Sequence, residues 1–440
     1  MAGLEDREQA SGLEMLSFGG AQFASSIYMA FSSYYLMMFC LEVALIPAAA
    51  TAVLLFCLQV FAAFDDQAIS LFINRWRFRD GKYRPYFKWC ALPFAISLAA
   101  LGLAPDIGVV GRVAYVALAL LLCEVSWSAL RVASMAMLPY LARGDVRRAQ
   151  FISCANASSI FAYIVVGACM LPLADFLGNG NMGKGFALTL ALFAAIAAPL
   201  HFNAYFRLSE RHYGETRHQP TIRDMLSAIG RNRRIVLFML GYGLYSMADA
   251  FKSLTTYYYA AWVMARPDLL PAIILAGLIS PLAVQPLIPR LLAYAGKEAL
   301  INFGLFAATC ASLLMLAAGA RPYALIACVA LYGVCTAIVA NLVFTVVASF
   351  ADEMRQQHGM NISEILTATL GLAASLGVAL ASGAAPVVLA ASGYSPQAAH
   401  QPPAALTGIT ALYVGCTAAG MALAGLAVLA FRKRSEHLRA

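Results

Sequence analysis

The sequence predicts an all-α membrane protein of twelve transmembrane helices, and its composition is the first reason. Hydrophobic residues make up 62% of the 440 residues and charged residues 12%, whereas a soluble domain carries about 25% charged residues. The charges lie between long apolar stretches, such as 18–40 and 404–431, which are long enough to cross a bilayer. Because lipid offers the backbone no hydrogen-bond partners, each crossing stretch is expected to be a helix.

The twelve predicted spans also give the chain an orientation. They are 17–40, 47–71, 88–105, 113–141, 150–172, 185–206, 234–261, 270–290, 299–319, 322–349, 361–390 and 404–431. Most of the lysine and arginine residues lie in the connections on the side of the N terminus. Since positively charged loops stay in the cytoplasm, both termini are predicted to be cytoplasmic. The net charge of +8 reflects this asymmetry and predicts no nucleic-acid partner.

A long polar connection divides the chain into two halves. It covers residues 207–233, follows the sixth predicted span and contains Gly214 and Pro220. We therefore predict an N-terminal six-helix half, residues 1–206, a cytoplasmic central loop and a C-terminal six-helix half, residues 234–440. This plan resembles that of the major facilitator superfamily, whose members bind substrates near the middle of the membrane.

The most informative segment runs from Phe64 to Pro85, where acids of the second span lead into a basic turn. It resembles the signature of the glycoside–pentoside–hexuronide:cation symporter family (melibiose-permease-like), although Ser70 stands where glycine is usual. The residues that fit are Asp66, Asn74, Arg75, Arg79, Gly81, Lys82, Tyr83 and Pro85. Shorter matches continue along nearly the whole chain. The resemblance implies a symporter for a small organic solute in a bacterial inner membrane, without a cofactor.

Several positions that carry function in the sugar-transporting members of that family differ here. An acid of the cation site falls on Ala62, two sugar-binding acids fall on Ser26 and Arg131, an arginine on Asn156 and a lysine on Leu376. Galactoside transport by the mechanism of those members is therefore not expected. Ser26 and Asn156 nevertheless stay candidates for the substrate pathway, because they stand at positions that carry function in those members.

Arg131 is a charge within the fourth predicted span, where an unpaired charge costs at least about 3 kcal/mol. Glu124 lies two turns earlier on the same helix face, and the family packing would bring Asp65 and Asp66 within reach. In one interpretation the guanidinium replaces the coupling cation or meets an anionic group of the substrate. In the other it forms a buried ion pair that holds the N-terminal half together. Both predict weak or absent sodium dependence.

A second set of candidates lies in the seventh span. Asp249 and Lys252 are three residues apart, so they face the same way on a helix. They are either a self-neutralised pair or substrate ligands from the C-terminal half. Trp127, in the fourth span, either stacks on a ring of the substrate or packs in the core.

The basic turn after the second span has two interpretations. In facilitators such turns bind acids and helix C termini, and so keep the outward-open state closed on the cytoplasmic side. The alternative is topological anchoring by positive charge alone. A glycine within the turn favours a defined shape, so we predict a gating turn formed by Arg75, Arg79, Gly81, Lys82 and Arg84.

The sequence thus predicts a secondary transporter for a small organic solute, a sugar derivative or an anion. Transport is expected to be either coupled to protons, carried by Asp65, Asp66 or Glu124, or uncoupled, and sodium is not expected. The alternative cargo is a lysolipid or another amphiphile. The chain contains no motif of a zinc protease, serine hydrolase or P-loop enzyme, and its six histidines have no metal-ligand spacing. Neither an enzyme nor a metal site is predicted.

Overall fold

The computed structural model describes residues 12–75, 80–103, 105, 107–141, 145–210, 233–319, 321–358, 363–396, 398 and 400–437. These residues form an all-helical membrane protein. Its helices are α1 (Gly12–Tyr34), α2 (Ala48–Arg75), α3 (Ala91–Leu101), α4 (Gly108–Leu141), α5 (Asp145–Gly178), α6 (Met182–Arg207), α7 (Arg233–Tyr258), α8 (Leu270–Val284), α9 (Lys297–Ala318), α10 (Pro322–His358), α11 (Ser363–Ala391) and α12 (Thr417–His437).

Shorter helical segments extend several of these helices. A π-helical turn follows α1, and another follows α7. The helix Arg84–Trp89 precedes α3, and Ile288–Ala295 continues α8 after one 3₁₀ turn. The helix α10 continues to His358, beyond its predicted end at 349, and the helical segments Pro403–Thr410 and Ala411–Cys416 precede α12 within the twelfth predicted span. Hydropathy marks where a span leaves the membrane, but a helix can continue into water beyond that point.

In the described ranges, nine helices are long and apolar enough to cross a membrane, and a bent pair, Gly12–Tyr34 with Leu36–Val43, makes a tenth. The third and seventh predicted spans fall outside this set. The third is interrupted at Cys90, between two short helices. The seventh is α7, which carries polar residues along one face. The full count of twelve spans and the cytoplasmic termini therefore stay predictions.

Two compact units make up the chain. The first comprises Met1–Ala50 and Phe64–Arg217, and the second comprises Thr51–Ala63 and His218–Ala440. In the first unit α1 packs along α5 and α6, and in the second α7 packs along α11 and α12. Most of the predicted central loop, residues 211–232, lies outside the described residues. The division into 1–206 and 234–440 stays a prediction.

Glycines allow helices to cross closely in both units. A Cβ atom on Gly185 of α6 would overlap the carbonyl of Ala174 on α5. In the second unit, a Cβ on Gly377 of α11 would overlap the carbonyl of Gly243 on α7. Small residues at such crossings let backbones approach, which is a main source of helix packing within lipid. The second of these crossings holds α7 against α11 and so helps to position the polar face of α7.

The two units repeat one local structure, which a chain built from two related halves would contain. The π-helical turn Phe39–Val43 is followed by Leu45 with a φ of +50°, and the π-helical turn Tyr259–Val263 is followed by Ala265 with a φ of +52°. Positive φ is uncommon for residues other than glycine. Its occurrence at the same place after the π turns that follow α1 and α7 indicates an internal repeat.

Candidate functional site

Arg131 is paired with an acid in the first unit. Its guanidinium forms an ion pair with one carboxylate oxygen of Asp66 on α2, and the Ser128 hydroxyl donates a hydrogen bond to the other oxygen. The guanidinium also lies over the ring of Trp127, 4.8 Å from its centroid. Trp127, Ser128 and Arg131 can act together because helical spacing puts them on one face of α4. Both oxygens of Asp66 are therefore occupied by donors.

Glu124 continues this face of α4 into the core. The hydroxyl of Tyr28 on α1 donates a hydrogen bond to Glu124 Oε2 at 2.7 Å, and both side chains are buried. The Tyr28 ring contacts Trp127 and Phe94, each with a centroid distance of 6.4 Å. Glu124 is thus held by a tyrosine, and its position relative to Arg131 is set by α4 itself.

Asp65 is buried, with 4% of its surface exposed. Neither of its carboxylate oxygens has a hydrogen-bond partner in the part of the chain that the structure describes. Its charge interacts electrostatically with those of Glu124 and Arg131. Asp65, Asp66, Glu124 and Arg131 consequently form one cluster, in which Asp65 alone among these acids has both oxygens free of hydrogen bonds to described residues.

The other candidates of the first unit lie outside these contacts. Ser26 is buried within α1 and Asn156 is exposed on α5. Neither side chain forms a hydrogen bond with the described residues. The structure therefore brings the acids, Trp127 and Arg131 together, but it gives no contact that links Ser26 or Asn156 to them.

In the second unit, one face of α7 carries a polar stripe. Tyr242, Tyr245, Asp249 and Lys252 follow one another at steps of three or four residues, which align on a helix. Tyr242 and Tyr245 stack with ring centroids 5.6 Å apart. A stripe of this kind on a membrane helix is typical of a surface that faces a polar pathway or other helices.

Tyr332 on α10 stands between the two charges of the stripe. Its hydroxyl donates a hydrogen bond to Asp249 Oδ1 at 3.1 Å. Lys252 Nζ lies over its ring, 4.8 Å from the centroid. Asp249 and Lys252 themselves form no direct ion pair. Asp249 and Lys252 therefore do not neutralise each other through a direct contact. Each charge interacts with Tyr332 instead.

The first and fourth helices of each unit are joined by the same chemistry. In the first unit a tyrosine of α1 donates to a carboxylate of α4, through Tyr28 and Glu124. In the second unit a tyrosine of α10 donates to a carboxylate of α7, through Tyr332 and Asp249. The donor and the acceptor have changed helices, but each unit has one tyrosine–acid hydrogen bond between its first and fourth helices.

The predicted gating turn wraps around an acid that the sequence analysis missed. Glu210, just past α6, accepts hydrogen bonds from the backbone amides of Lys82, Tyr83 and Arg84 at 2.9, 2.6 and 2.8 Å. Gly81 has a φ of +125°, and a Cβ there would lie 2.9 Å from Glu210 Oε1. Glycine is therefore required both by the backbone conformation and by the closeness of the carboxylate.

Side chains of the turn add to this attachment. Arg84 Nε donates to the carbonyl oxygen of Tyr205 at 2.6 Å, and its guanidinium lies over the Tyr205 ring. Lys82 is buried and Arg75 is exposed, while Arg79 lies outside the described residues. All of these contacts are within the first unit and fasten the turn to the end of α6. The gating role stays a prediction.

Replacement of Glu210 by alanine is expected to lower the stability of the first unit. Three backbone amides lose their acceptor, and each such bond contributes about 0.5–1.5 kcal/mol. Because Glu210 is only half-buried, water replaces part of this, and we expect a loss of about 1–3 kcal/mol. The measurement is the melting temperature of the purified protein.

Asp268→Asn is the control for the Glu210 variant, since Asp268 is 59% exposed and pairs with the neighbouring Arg266. An unchanged melting temperature in Glu210→Ala, equal to that of the control, would contradict a stabilising role of the hydrogen bonds between Glu210 and the turn.

A family model described as MFS/sugar transport protein matches residues 17–433 of the chain. The chain belongs to this family. It is 24% identical over 425 residues to the isoprimeverose transporter of Lactiplantibacillus pentosus, covering 95% of this chain and 88% of that protein. It is 23% identical over 412 residues to the uncharacterized symporter YnaJ of Bacillus subtilis (strain 168), covering 92% and 88%. The solved nucleoside transporter NupG has the same fold, with a TM-score of 0.68, 13% identity and coverage of 96% of this chain and 100% of that one.

Membership of the MFS/sugar transport family confirms the predicted fold class and the predicted kind of function. The protein is a transporter, and it is integral to the inner membrane. The resemblance to the glycoside–pentoside–hexuronide:cation symporters is confirmed as well. Among the described residues no group of His, Cys, Asp or Glu could hold a metal ion.

Four residues of this family member were missed by the sequence analysis although they bind the candidates directly: Tyr28, Ser128, Glu210 and Tyr332. Ser128 could have been found, because it lies three residues before Arg131 on the same face of α4. Glu210 had a weaker signal, as one of three acids within a basic connection. The two tyrosines lie on other helices than their partners, and no spacing in the sequence relates them.

Proposed function

We propose that this transporter carries a small hydrophilic solute, a sugar or sugar derivative, independently of sodium and with protons as the coupling ion. The ion pair between Arg131 and Asp66 supports this proposal most strongly. Asp66 occupies the place of an acid in the family signature. Here a guanidinium that belongs to the chain already neutralises this acid. We assign the protein no enzymatic reaction.

Neither carboxylate oxygen of Asp66 is free to bind a sodium ion. Sodium binds through several oxygen ligands, and a carboxylate serves as one only when its oxygens are free. One oxygen of Asp66 faces Arg131 and the other accepts the Ser128 hydrogen bond. Displacing the guanidinium would leave a charged group within the membrane without its partner, at a cost of at least about 3 kcal/mol. The ion pair therefore favours a transport cycle without sodium.

Protons are the proposed coupling ion because one acid of the cluster, Asp65, accepts no hydrogen bond from the described residues. Asp65 is buried and its oxygens have no hydrogen-bond donor among the described residues. Ionisation of an acid at such a place is costly, whereas a bound proton removes the charge. Glu124, held by Tyr28, is the neighbouring acid that can exchange the proton.

The nature of the solute follows from the relatives. The family model describes sugar transport, and one relative is named an isoprimeverose transporter. Both favour a small solute over the lysolipid alternative. Aromatic rings such as Trp127 and Tyr245, at the edges of the two polar clusters, are suited to stacking on sugar rings.

The test is thermal stabilisation of the purified protein by a panel of sugars in sodium and in potassium buffers. The panel contains isoprimeverose, D-glucose and D-glucuronate. A ligand that binds only the folded state stabilises it by about 2.7 kcal/mol at a hundred times its Kd. We expect at least one sugar to raise the melting temperature equally in both buffers. A shift that requires sodium would show the Arg131–Asp66 interpretation to be wrong.

A further inference from the structure

Lys252 is a buried cation without a counter-ion at contact distance. Its exposed fraction is 9%, and its ammonium forms neither a hydrogen bond nor an ion pair with the described residues. Its ammonium lies over the Tyr332 ring, and its charge interacts with Asp249 only at longer range. A cation–π contact recovers only part of the hydration that a buried ammonium loses. Charges within the membrane typically mark the path of a substrate or ion.

A second unsatisfied donor lies on the neighbouring helix α8. The hydroxyl of Ser280 is buried and has no hydrogen-bond partner in the described ranges. Gly277 lies one turn earlier on α8, and a Cβ there would be 3.8 Å from Lys252 Nζ. A Cβ on Gly333 of α10 would collide with Ser280 Oγ. Lys252 and Ser280 thus lie at the junction of α7, α8 and α10, where Gly277 and Gly333 let the two side chains approach the neighbouring backbone.

The polar stripe of α7 leads to this junction. Tyr242, Tyr245 and Asp249 are partly exposed, whereas Lys252, at the end of the stripe, is buried. An ammonium and a hydroxyl without acceptors have the chemistry to bind an oxygen that carries negative charge. Tyr245, two turns before Lys252, offers an aromatic face to the rest of such a molecule.

We propose that the α7–α8–α10 junction binds the anionic group of the transported solute, with Lys252 as its counter-charge and Ser280 as a hydrogen-bond donor. The substrate is then an organic anion that carries a carboxylate, sulfonate or phosphate group. This inference rests on the proposed transport function and makes its substrate class specific. Asp249, bound to Tyr332, is positioned to accept hydrogen bonds from hydroxyl groups of the same solute.

The experiment compares charged and neutral solutes on the wild-type protein and on Lys252→Met, which removes the charge but keeps the length of the side chain. The probes are D-glucuronate, D-glucose 6-phosphate and 2,3-dihydroxypropane-1-sulfonate, with D-glucose and glycerol as neutral counterparts. We expect at least one anion to stabilise the wild type more than its neutral counterpart. In Lys252→Met the apparent affinity for that anion should fall about tenfold or more, which corresponds to about 1.4 kcal/mol.

Two further variants keep the test decisive. Ser280→Ala removes a single hydroxyl and should weaken binding of the same anion even if Lys252→Met fails to fold. Lys184→Met, which removes an exposed lysine, is the control for a change of net charge and should bind the anion normally. The inference is overturned if Lys252→Met and Ser280→Ala both bind the anion as the wild type does. It is also overturned if none of the three anions stabilises the wild type.

The outcomes separate this inference from the proposed function. A neutral sugar that stabilises the wild type equally in sodium and potassium, when no anion does, would leave sodium-independent sugar transport intact and remove the anion site. An anion that binds through Lys252 only in sodium would support the anion site and contradict sodium independence.

Discussion

Replacement of Arg131 by alanine is expected to reduce solute uptake into proteoliposomes by at least about a hundredfold, which corresponds to about 2.7 kcal/mol. The change leaves the Asp66 carboxylate within the membrane without its partner, at a cost of at least about 3 kcal/mol. The solute for the measurement is the sugar that stabilises the purified protein. Arg112→Ala, at the other end of α4, removes an arginine outside the cluster and should transport normally.

A double variant separates function from stability at this pair. Asp66→Asn with Arg131→Met replaces both charges by neutral groups, so no charge is left alone. If the pair serves only to hold the first unit together, the double variant should regain the melting temperature and also the uptake. If the guanidinium acts in transport, the melting temperature should recover while uptake stays absent. Full uptake by the single Arg131→Ala variant would leave only the structural account.

Asp65→Asn is expected to abolish the pH dependence of uptake. In the wild type, coupling to protons should make uptake rise as the external pH falls. Asp65 has no hydrogen-bond donor among the described residues, so it can take up a proton without breaking a contact. Asparagine has nearly the same shape but binds no proton in this range. The measurement is the initial rate of uptake across a series of external pH values.

Asp66→Asn is the matched comparison for Asp65→Asn, because the two acids are adjacent. Its effect should follow the loss of the Arg131 ion pair and lower the rate at every pH. A pH profile of Asp65→Asn that equals that of the wild type would exclude Asp65 as the proton carrier. If Glu124→Gln alone removed the pH dependence, Glu124 would be the proton carrier.

The fold and the family could be predicted from the sequence because both are recorded in local patterns. Apolar stretches determine which segments enter the membrane, and the motif from Phe64 to Pro85 is continuous in the chain. The polar face of α4 was also within reach, since Glu124 and Arg131 are two turns apart. The end of a helix could not be predicted where the helix continues beyond the membrane, as α10 does.

Contacts between helices could not be predicted, because they depend on how each helix is rotated. Asp65 and Asp66 differ by one position, which is about 100° around a helix, and only packing shows that Asp66 meets Arg131. Tyr28 and Glu124 are 96 residues apart, so no spacing connects them. The place of Tyr332 between the charges of α7 likewise depends on packing within the second unit.

The hydrogen bonds between Glu210 and the predicted gating turn have a consequence for biosynthesis. The amide of Lys82 and the carboxylate that it binds are 128 residues apart in the chain. When the turn leaves the ribosome, its acceptor has not yet been translated. The three amides must therefore stay bound to water until α6 has been inserted. This end of the first unit therefore acquires its final shape only after α6 and Glu210 have been made.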